Sequence, residues 1–285
     1  MASKSKAYAL IVPRFEDVLH SFYASEIIKG VSLSASHLKA DVLIHITERL
    51  QHEDWLNWPM LNAHYIDGVL FADINGDKAT LKRVIATGIP YLVLNNSFEE
   101  DINYICIDNE KAAIEAVGHL IKLGHKRIAT IAGDLHTQAG KARLKGYKEA
   151  LAKHKIPLKD DYISVGGFLR TPARDAAGKL LHLHQRPTAI FAASDVMALE
   201  AIDLARKEGL SIPKDISIIG FDDNPIAIYS SIGLTTVRQP IVEMGQLGLE
   251  TLDQIVQRKV KLPVKNTLPA KLVIRESCAK PKKEK

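Results

Sequence analysis

Cysteine is nearly absent from this chain. Of 285 residues only Cys106 and Cys278 are cysteines, far apart in sequence, so neither a disulfide framework nor a cysteine-based metal site is encoded. Two buried, reduced thiols are expected. No apolar run approaches the ~18–20 residues that a membrane span requires, and the opening MASKSKAYALIVP carries too short an apolar stretch for a secretory signal. A cytoplasmic location is expected. The motifs of common enzyme chemistries are missing as well: there is no GxGxxG, no GxxxxGK followed by Ser or Thr, no GxSxG and no HExxH. The eleven histidines are scattered, with His182/His184 and His45/His52 the close pairs. At i, i+2 on an expected helix, His182 and His184 point to different sides and share no metal. No catalytic activity, cofactor or metal is therefore expected. Charge of one sign is not concentrated either. Part of the net +5 lies in Lys4 and Lys6 at the start and in Lys280, Lys282, Lys283 and Lys285 at the end, which reads as solvated termini and not as a nucleic-acid patch.

What is present is ordinary globular material, 46% hydrophobic and 25% charged. That length can hold a large core, as one α/β unit or as two lobes. The organising stretch is residues 189–223, AIFAASDVMALEAIDLARKEGLSIPKDISIIGFDD. Two apolar runs, 189–193 and 216–221, each end in polar groups, Ser194-Asp195 and Asp222-Asp223. Between them Val196, Leu199, Ile202 and Leu204 fall near helical spacing, and Gly209 stands where a left-handed C-cap belongs. This is a β-α-β unit, and its continuous apolar strands imply a parallel sheet covered on both faces.

The same alternation runs along the chain. Strands are expected over residues 7–12, 41–46, 68–71, 91–94, 105–107, 127–132 and 162–165. Helices are expected over 22–39, 51–64, 78–87, 142–154 and 172–184, with one opening at Asn109 as N-cap. Two comparable α/β sets, about 7–107 and 126–236, indicate two lobes. After them come a helix over 241–257 and a terminal strand within LPAKLVIRES. Polar residues recur where strands end: Arg14 and Glu16, Asn95 and Asn96, Asp134, Ser194 and Asp195, Asp222 and Asp223. In parallel α/β sheets ligands bind beyond those ends. Carboxylates and amides suit a polyhydroxyl ligand, because each can engage two adjacent hydroxyls. Phe22, Tyr23 and Phe168 are the aromatics available to stack on its apolar face.

Three motifs in order, HLIKLGHKRIATIAG (119–133), IPKDISIIGFDD (212–223) and LTTVRQP (234–240), closely resemble the effector-binding core of the LacI/GalR family of bacterial transcription regulators. The resemblance spans about residues 7–278. It implies an α/β fold of the type I periplasmic-binding-protein kind, with two doubly wound parallel-sheet lobes, an interlobe cleft and three crossover segments near Asp108, residues 237–238 and residues 265–268. The lobes would be 7–107 plus 238–266 and 108–237 plus 267–278, with 1–6 and 279–285 as disordered tails. Carried over residue by residue, Phe22 and Tyr23 match aromatics that border the effector. Asn95 and Asn96 stand at positions often occupied by aspartate and arginine. Arg143 matches an arginine reaching into the pocket, Phe168 an aromatic of the second lobe, Ser194 a frequent asparagine, Asp222 the aspartate that grips effector hydroxyls or amines, and Gln239 a hinge position.

Bland readings stand beside these. Asp222 and Asp223 are also placed to cap the turn at Asn224-Pro225, Asp195 is an N-cap as readily as a ligand, and Arg143 without the resemblance is a solvated helix charge. Asp222→Ala and Arg143→Ala are both expected to weaken binding and spare the fold. Two departures qualify the match: the first loop, PRFEDVLHSFY, is longer than usual, and Asn95-Asn96 replaces a commonly charged pair. The family's members begin with a helix-turn-helix domain, which nothing before Ala7 supplies. The expected protein is therefore an effector-sensing and dimerisation core that binds a small sugar-like molecule and forms a homodimer. Operator DNA would be reached only through the missing domain, and no membrane is involved. An exported sugar-binding protein of a transporter, a purine or nucleoside effector, and a small-molecule enzyme on this scaffold are the alternatives.

Overall fold

A computed structural model describes residues 6–13, 22–47, 58, 65–74, 78–226 and 232–282. The helix expected over 51–64 lies outside these residues apart from Trp58, as do Arg14 and Glu16. The chain forms two compact units, residues 1–107 with 240–268 and residues 108–239 with 269–285, and so passes from one to the other three times.

The first unit is built on a parallel sheet of six strands: β1 (Lys6–Pro13), β2 (Ala40–Thr47), β3 (Gly68–Ala72), β4 (Tyr91–Leu94), β5 (Tyr104–Ile107) and β11 (Lys265–Leu268), in the order β11-β5-β4-β3-β1-β2. Its central strands are buried along their whole length because alternate residues face opposite layers. Ala9, Ile11, Val69, Phe71 and Val93 pack with Leu81 and Val84 of α2 (Lys78–Ala86). On the other face, α1 (Phe22–Leu38) and α7 (Ile241–Val256) cross at glycines. A Cβ on Gly30 would come within 2.2 Å of the Val242 carbonyl, and one on Gly245 within 2.7 Å of the Ile27 carbonyl. The polar strand β11, KNTL, is the one that the sequence reading treats as a connection. It sits at an edge, where a strand needs no second apolar neighbour.

The second unit holds the parallel sheet β7-β6-β8-β9, made of β6 (Ile128–Ala132), β7 (Ile163–Val165), β8 (Ala189–Ala192) and β9 (Ser217–Ile219). Its helices are α3 (Asn109–Lys122), α4 (Gln138–Lys153), α5 (Arg170–Leu181) and α6 (Asp195–Lys207). The α5 and α6 layer is packed by small residues. On α6 the buried apolar positions are Met197, Ala198, Ala201, Ile202 and Ala205, which corrects the expected stripe: of Val196, Leu199, Ile202 and Leu204 only Ile202 is buried. Alanines on α6 and at Ala173, Ala176 and Ala177 of α5 join one apolar cluster with the sheet, and close packing of helix on sheet selects them over larger side chains. A small antiparallel pair, β10 (Thr236–Arg238) with β12 (Lys271–Val273), completes the unit.

Two local expectations are corrected. Asp108, and not Asn109, caps α3, its carboxylate accepting from the Lys111 amide at 2.9 Å. Asn109 is the first helical residue, and its side chain is engaged elsewhere. Residues 279–282 are not a free tail. Ala279 donates its amide to Ser217 Oγ (3.0 Å), its carbonyl meets His125 Nε2 (2.9 Å), and Lys282 pairs with Asp215.

Candidate functional site

In both units the chain leaves its strands through strained backbone. Asp73 after β3 (φ 55°), Asn95 after β4 (φ 65°), Phe168 beyond β7 (φ 66°), and Asp222 and Asp223 after β9 (φ 124° and 56°) are all non-glycine residues at positive φ. Such conformations cost about 1–3 kcal/mol each, persist where the surroundings over-determine them, and gather at functional sites. All five lie at or just beyond the carboxyl ends of parallel strands.

In the second unit, the Asp222 carboxylate is the centre of a polar cluster. Arg143 of α4 has a side chain only 5% exposed and reaches Asp222 Oδ1 at 3.4 Å. It also donates to the Ala193 carbonyl (2.6 Å) and to Asn109 Oδ1 (2.9 Å). Its guanidinium lies 3.7 Å from the centroid of the Phe221 ring and 5.6 Å from that of Phe168, within cation-π range. Gln239 Nε2 donates to Asp222 Oδ1 at 2.5 Å. Desolvation pushes the Asp222 carboxyl up to about 6, against the downward pull of Arg143 and Gln239. The Asp222 side chain stays 21% exposed, which leaves it open to a partner from outside. Phe168 follows Gly167, and its ring covers Gly133, where a Cβ would stand 2.1 Å from Cζ; only glycine lets the ring lie there.

The two neighbours of this cluster are engaged internally. Ser194 caps α6, its hydroxyl accepting from the Met197 amide at 3.3 Å. Asp195 is fully buried and accepts from Thr236 Oγ1 (2.5 Å) and the Asn224 amide (2.8 Å). Desolvation and the charge of Asp222 hold its carboxyl well above the usual carboxylate range. Of the two roles open to it in the sequence, the cap belongs to Ser194, and Asp195 braces the loop that carries Asp222. The turn at Asn224 is closed by Asn224 itself, whose Oδ1 accepts from the Ile226 amide at 3.1 Å. Asp223 is gripped by Arg238 at 2.5 Å and Arg275 at 2.6 Å.

In the first unit, Tyr23 at the start of α1 and Asn95 and Asn96 after β4 form a second cluster, with Asp73 beside them. The Tyr23 hydroxyl is buried and lies beside the Asn95 amide without reaching hydrogen-bond geometry. Desolvation and the Asp73 carboxylate push it well above its usual range. Among the described residues, Tyr23 Oη, Asn95 Oδ1, Asn96 Oδ1 and Nδ2, and in the second unit Gln239 Oε1, are buried without a hydrogen-bond partner. Phe22 is half-buried. Asp73 was not singled out from the sequence, though it follows the apolar run GVLFA as Asn95 follows YLVL, and the strand-end rule reaches it equally. Arg275 had no such signal. Among the described residues no group of three or more metal-ligating side chains is assembled.

A periplasmic binding protein-like domain model matches residues 117–278. The HTH-type transcriptional regulator DegA of Bacillus subtilis (strain 168) is 33% identical over 278 residues, covering 96% of this chain and 81% of DegA. This chain belongs to the LacI family of transcription regulators. Solved structures of LacI-family proteins agree in fold. The transcriptional regulator CelR in complex with cellobiose superimposes with a TM-score of 0.88 at 29% identity, covering 96% of this chain and 86% of CelR. The lac repressor dimer bound to operator and an anti-inducer superimposes at 0.87 with 27% identity, covering 98% and 96%. As a LacI-family chain it carries its polar residues at the strand ends of both units, and no described helix is long and apolar enough to cross a membrane.

Proposed function

We propose that this chain is the effector-sensing part of its regulator and binds a small, neutral polyhydroxyl molecule, a sugar or sugar derivative, through strand-end residues. The observation that carries this reading is the set of buried polar atoms without partners on Tyr23, Asn95, Asn96 and Gln239. Such atoms cost about 1–3 kcal/mol each when left unpaired, and an amide-rich, hydroxyl-bearing set matches a ligand dense in hydroxyl groups. Asp222 supplies the charged acceptor, and Phe168 an aromatic face. Arg143 is committed to protein acceptors, which favours a neutral ligand over a phosphate or carboxylate. A homodimer is the working assembly, in line with the lac repressor dimer that the chain resembles.

A thermal-shift panel of neutral mono- and disaccharides, sugar phosphates and nucleosides tests the reading. A bound compound at 100 times its Kd adds about 2.7 kcal/mol, a rise of roughly 2–4 °C for a protein of this size. A neutral sugar should produce it, and Asp222→Ala should abolish it. Shifts from sugar phosphates or nucleosides alone, or a sugar shift indifferent to Asp222→Ala, would contradict the proposal.

A further inference from the structure

Asp223 has both carboxylate oxygens engaged: Oδ2 by Arg238 Nε at 2.5 Å and Oδ1 by Arg275 Nη2 at 2.6 Å. Its side chain is 6% exposed, so it offers nothing to a ligand. Its partners, however, stand at the chain's crossings between the two units. Arg238 is followed by Gln239 and then by the crossing at 239/240, and Arg275 follows β12, which begins just past the crossing at 268/269. Arg275 is itself anchored to the Arg238 segment, its amide donating to Thr235 Oγ1 (2.9 Å) and Nη1 to the Leu234 carbonyl (2.8 Å).

The adjacent residue repeats the pattern. Asp222 receives Gln239 at 2.5 Å at the second crossing, and the Asp222 amide donates to the Val237 carbonyl at 2.8 Å. Through Arg143 it is tied to Asn109, next to the first crossing at 107/108. Two consecutive aspartates on one strained turn thus bind all three crossing segments, Asp222 the first and second, Asp223 the second and third. Both stand at positive φ, and the bonds to the crossing segments are what over-determine that costly backbone.

We infer that Asp223 is a positioning residue, which fastens the Asp222 turn to the second and third crossing segments so that a change at Asp222 reaches all three. The inference rests on the reading of Asp222 as the ligand carboxylate for its purpose, but not for its geometry. A ligand bound at Asp222 biases the crossings in this scheme because it competes with Gln239 and Arg143 for one carboxylate, which gives the differential interaction that any coupling between sites requires.

Hydrogen–deuterium exchange of the full chain tests it, comparing wild type, Asp222→Asn, Asp223→Asn and the double variant. Asp222→Asn should speed exchange about threefold or more in residues 108–112, 235–238 and 271–276, the size of opening expected when a charge-assisted bond is weakened. In the Asp223→Asn background the response of 271–276 to Asp222→Asn should fall well below that in wild type, the β10–β12 pairing carrying what remains, whereas that of 108–112 should be unchanged. A purely structural role for Asp223 would raise exchange without reducing that response. Equal responses of 271–276 in both backgrounds, or none in either, would overturn the inference. Should Asp223→Asn fail to fold, Arg275→Met removes the Asp223–Arg275 pair together with the Nη1 bond to the Leu234 carbonyl and should reduce the same response. If the exchange pattern holds while no compound in the thermal-shift panel binds, the bracket stands and the ligand reading falls; binding without the pattern gives the reverse.

Discussion

Arg143→Ala tests whether the centre of the polar cluster is structural as well as ligand-facing. The sequence suggests a substitution that spares the fold, because it places Arg143 at a solvent-accessible cleft. The structure buries this side chain to 5% exposure and gives it three acceptors, Asp222 Oδ1, the Ala193 carbonyl and Asn109 Oδ1. Truncation to alanine strands the Ala193 carbonyl, leaves the Asp222 carboxylate with Gln239 in place of an ion pair, and opens a void beside Phe221. Hydrogen bonds to charged groups contribute about 1.5–3 kcal/mol each, and removing one member of a buried ion pair costs about 3–5 kcal/mol. These contributions overlap, so a loss of about 3–5 kcal/mol is expected. Urea unfolding followed by circular dichroism should show a lowered midpoint at unchanged m-value. Arg143→Lys should recover only part of the loss, since an ammonium cannot span three acceptors in the guanidinium plane. The Asp222 carboxyl, which Arg143 pulls down, should titrate above 6 in Arg143→Ala when followed by carbon-detected NMR. A loss under about 1 kcal/mol with unchanged Asp222 titration would refute the reasoning.

Gly30→Ala should lower the melting temperature clearly, because the new methyl meets the Val242 carbonyl at 2.2 Å; helix overpacking of this kind costs about 1–3 kcal/mol, and an unchanged melting curve would mean α1 and α7 do not cross there. Ile219→Asp should give no soluble folded protein, since it places an unpaired carboxylate in a fully buried strand; a normal far-ultraviolet spectrum and yield would show β9 misplaced. Asp222 carries a folded-state pKa raised from 3.8 to about 6, so the native state holds more protons than the unfolded chain between those values. Its contribution to stability is therefore present below about pH 4 and lost as pH rises to 6. Denaturant titrations at pH 4, 5, 6 and 7 should show wild type losing stability relative to Asp222→Asn over that window, and a constant difference would contradict the assignment.

The strand pattern was legible because parallel strands buried on both faces read as unbroken apolar runs: GVLFA, YLVL, AIFA and SII all stand where the sequence places strands. The strand-end rule likewise pointed at Asn95, Asn96, Ser194, Asp195 and Asp222. What the sequence could not say is how each polar group is spent. Ser194, Asp195 and Asp222 look equivalent in one dimension. Three-dimensional neighbours divide them into a helix cap, a buried brace and a partly exposed acceptor. The α6 face differs from its sequence pattern because the large apolar residues suggest the core-facing set, whereas the tight α5 and α6 layer admits mainly alanine. β11 escaped because an edge strand of polar residues has no periodic signature. Arg275, far in sequence from Asp223, could be joined to it only by folding.

Calorimetric titration of a neutral sugar identified by the thermal-shift panel into wild type and Asp222→Asn is the most direct test of the ligand site. Saturable binding with one site per chain, weakened at least about tenfold in Asp222→Asn while the far-ultraviolet spectrum without sugar matches that of wild type, is the predicted result; a tenfold loss corresponds to about 1.4 kcal/mol, close to the lower end for one charge-assisted hydrogen bond. Equal affinity for both proteins would place the ligand away from the Asp222 cluster and contradict the account.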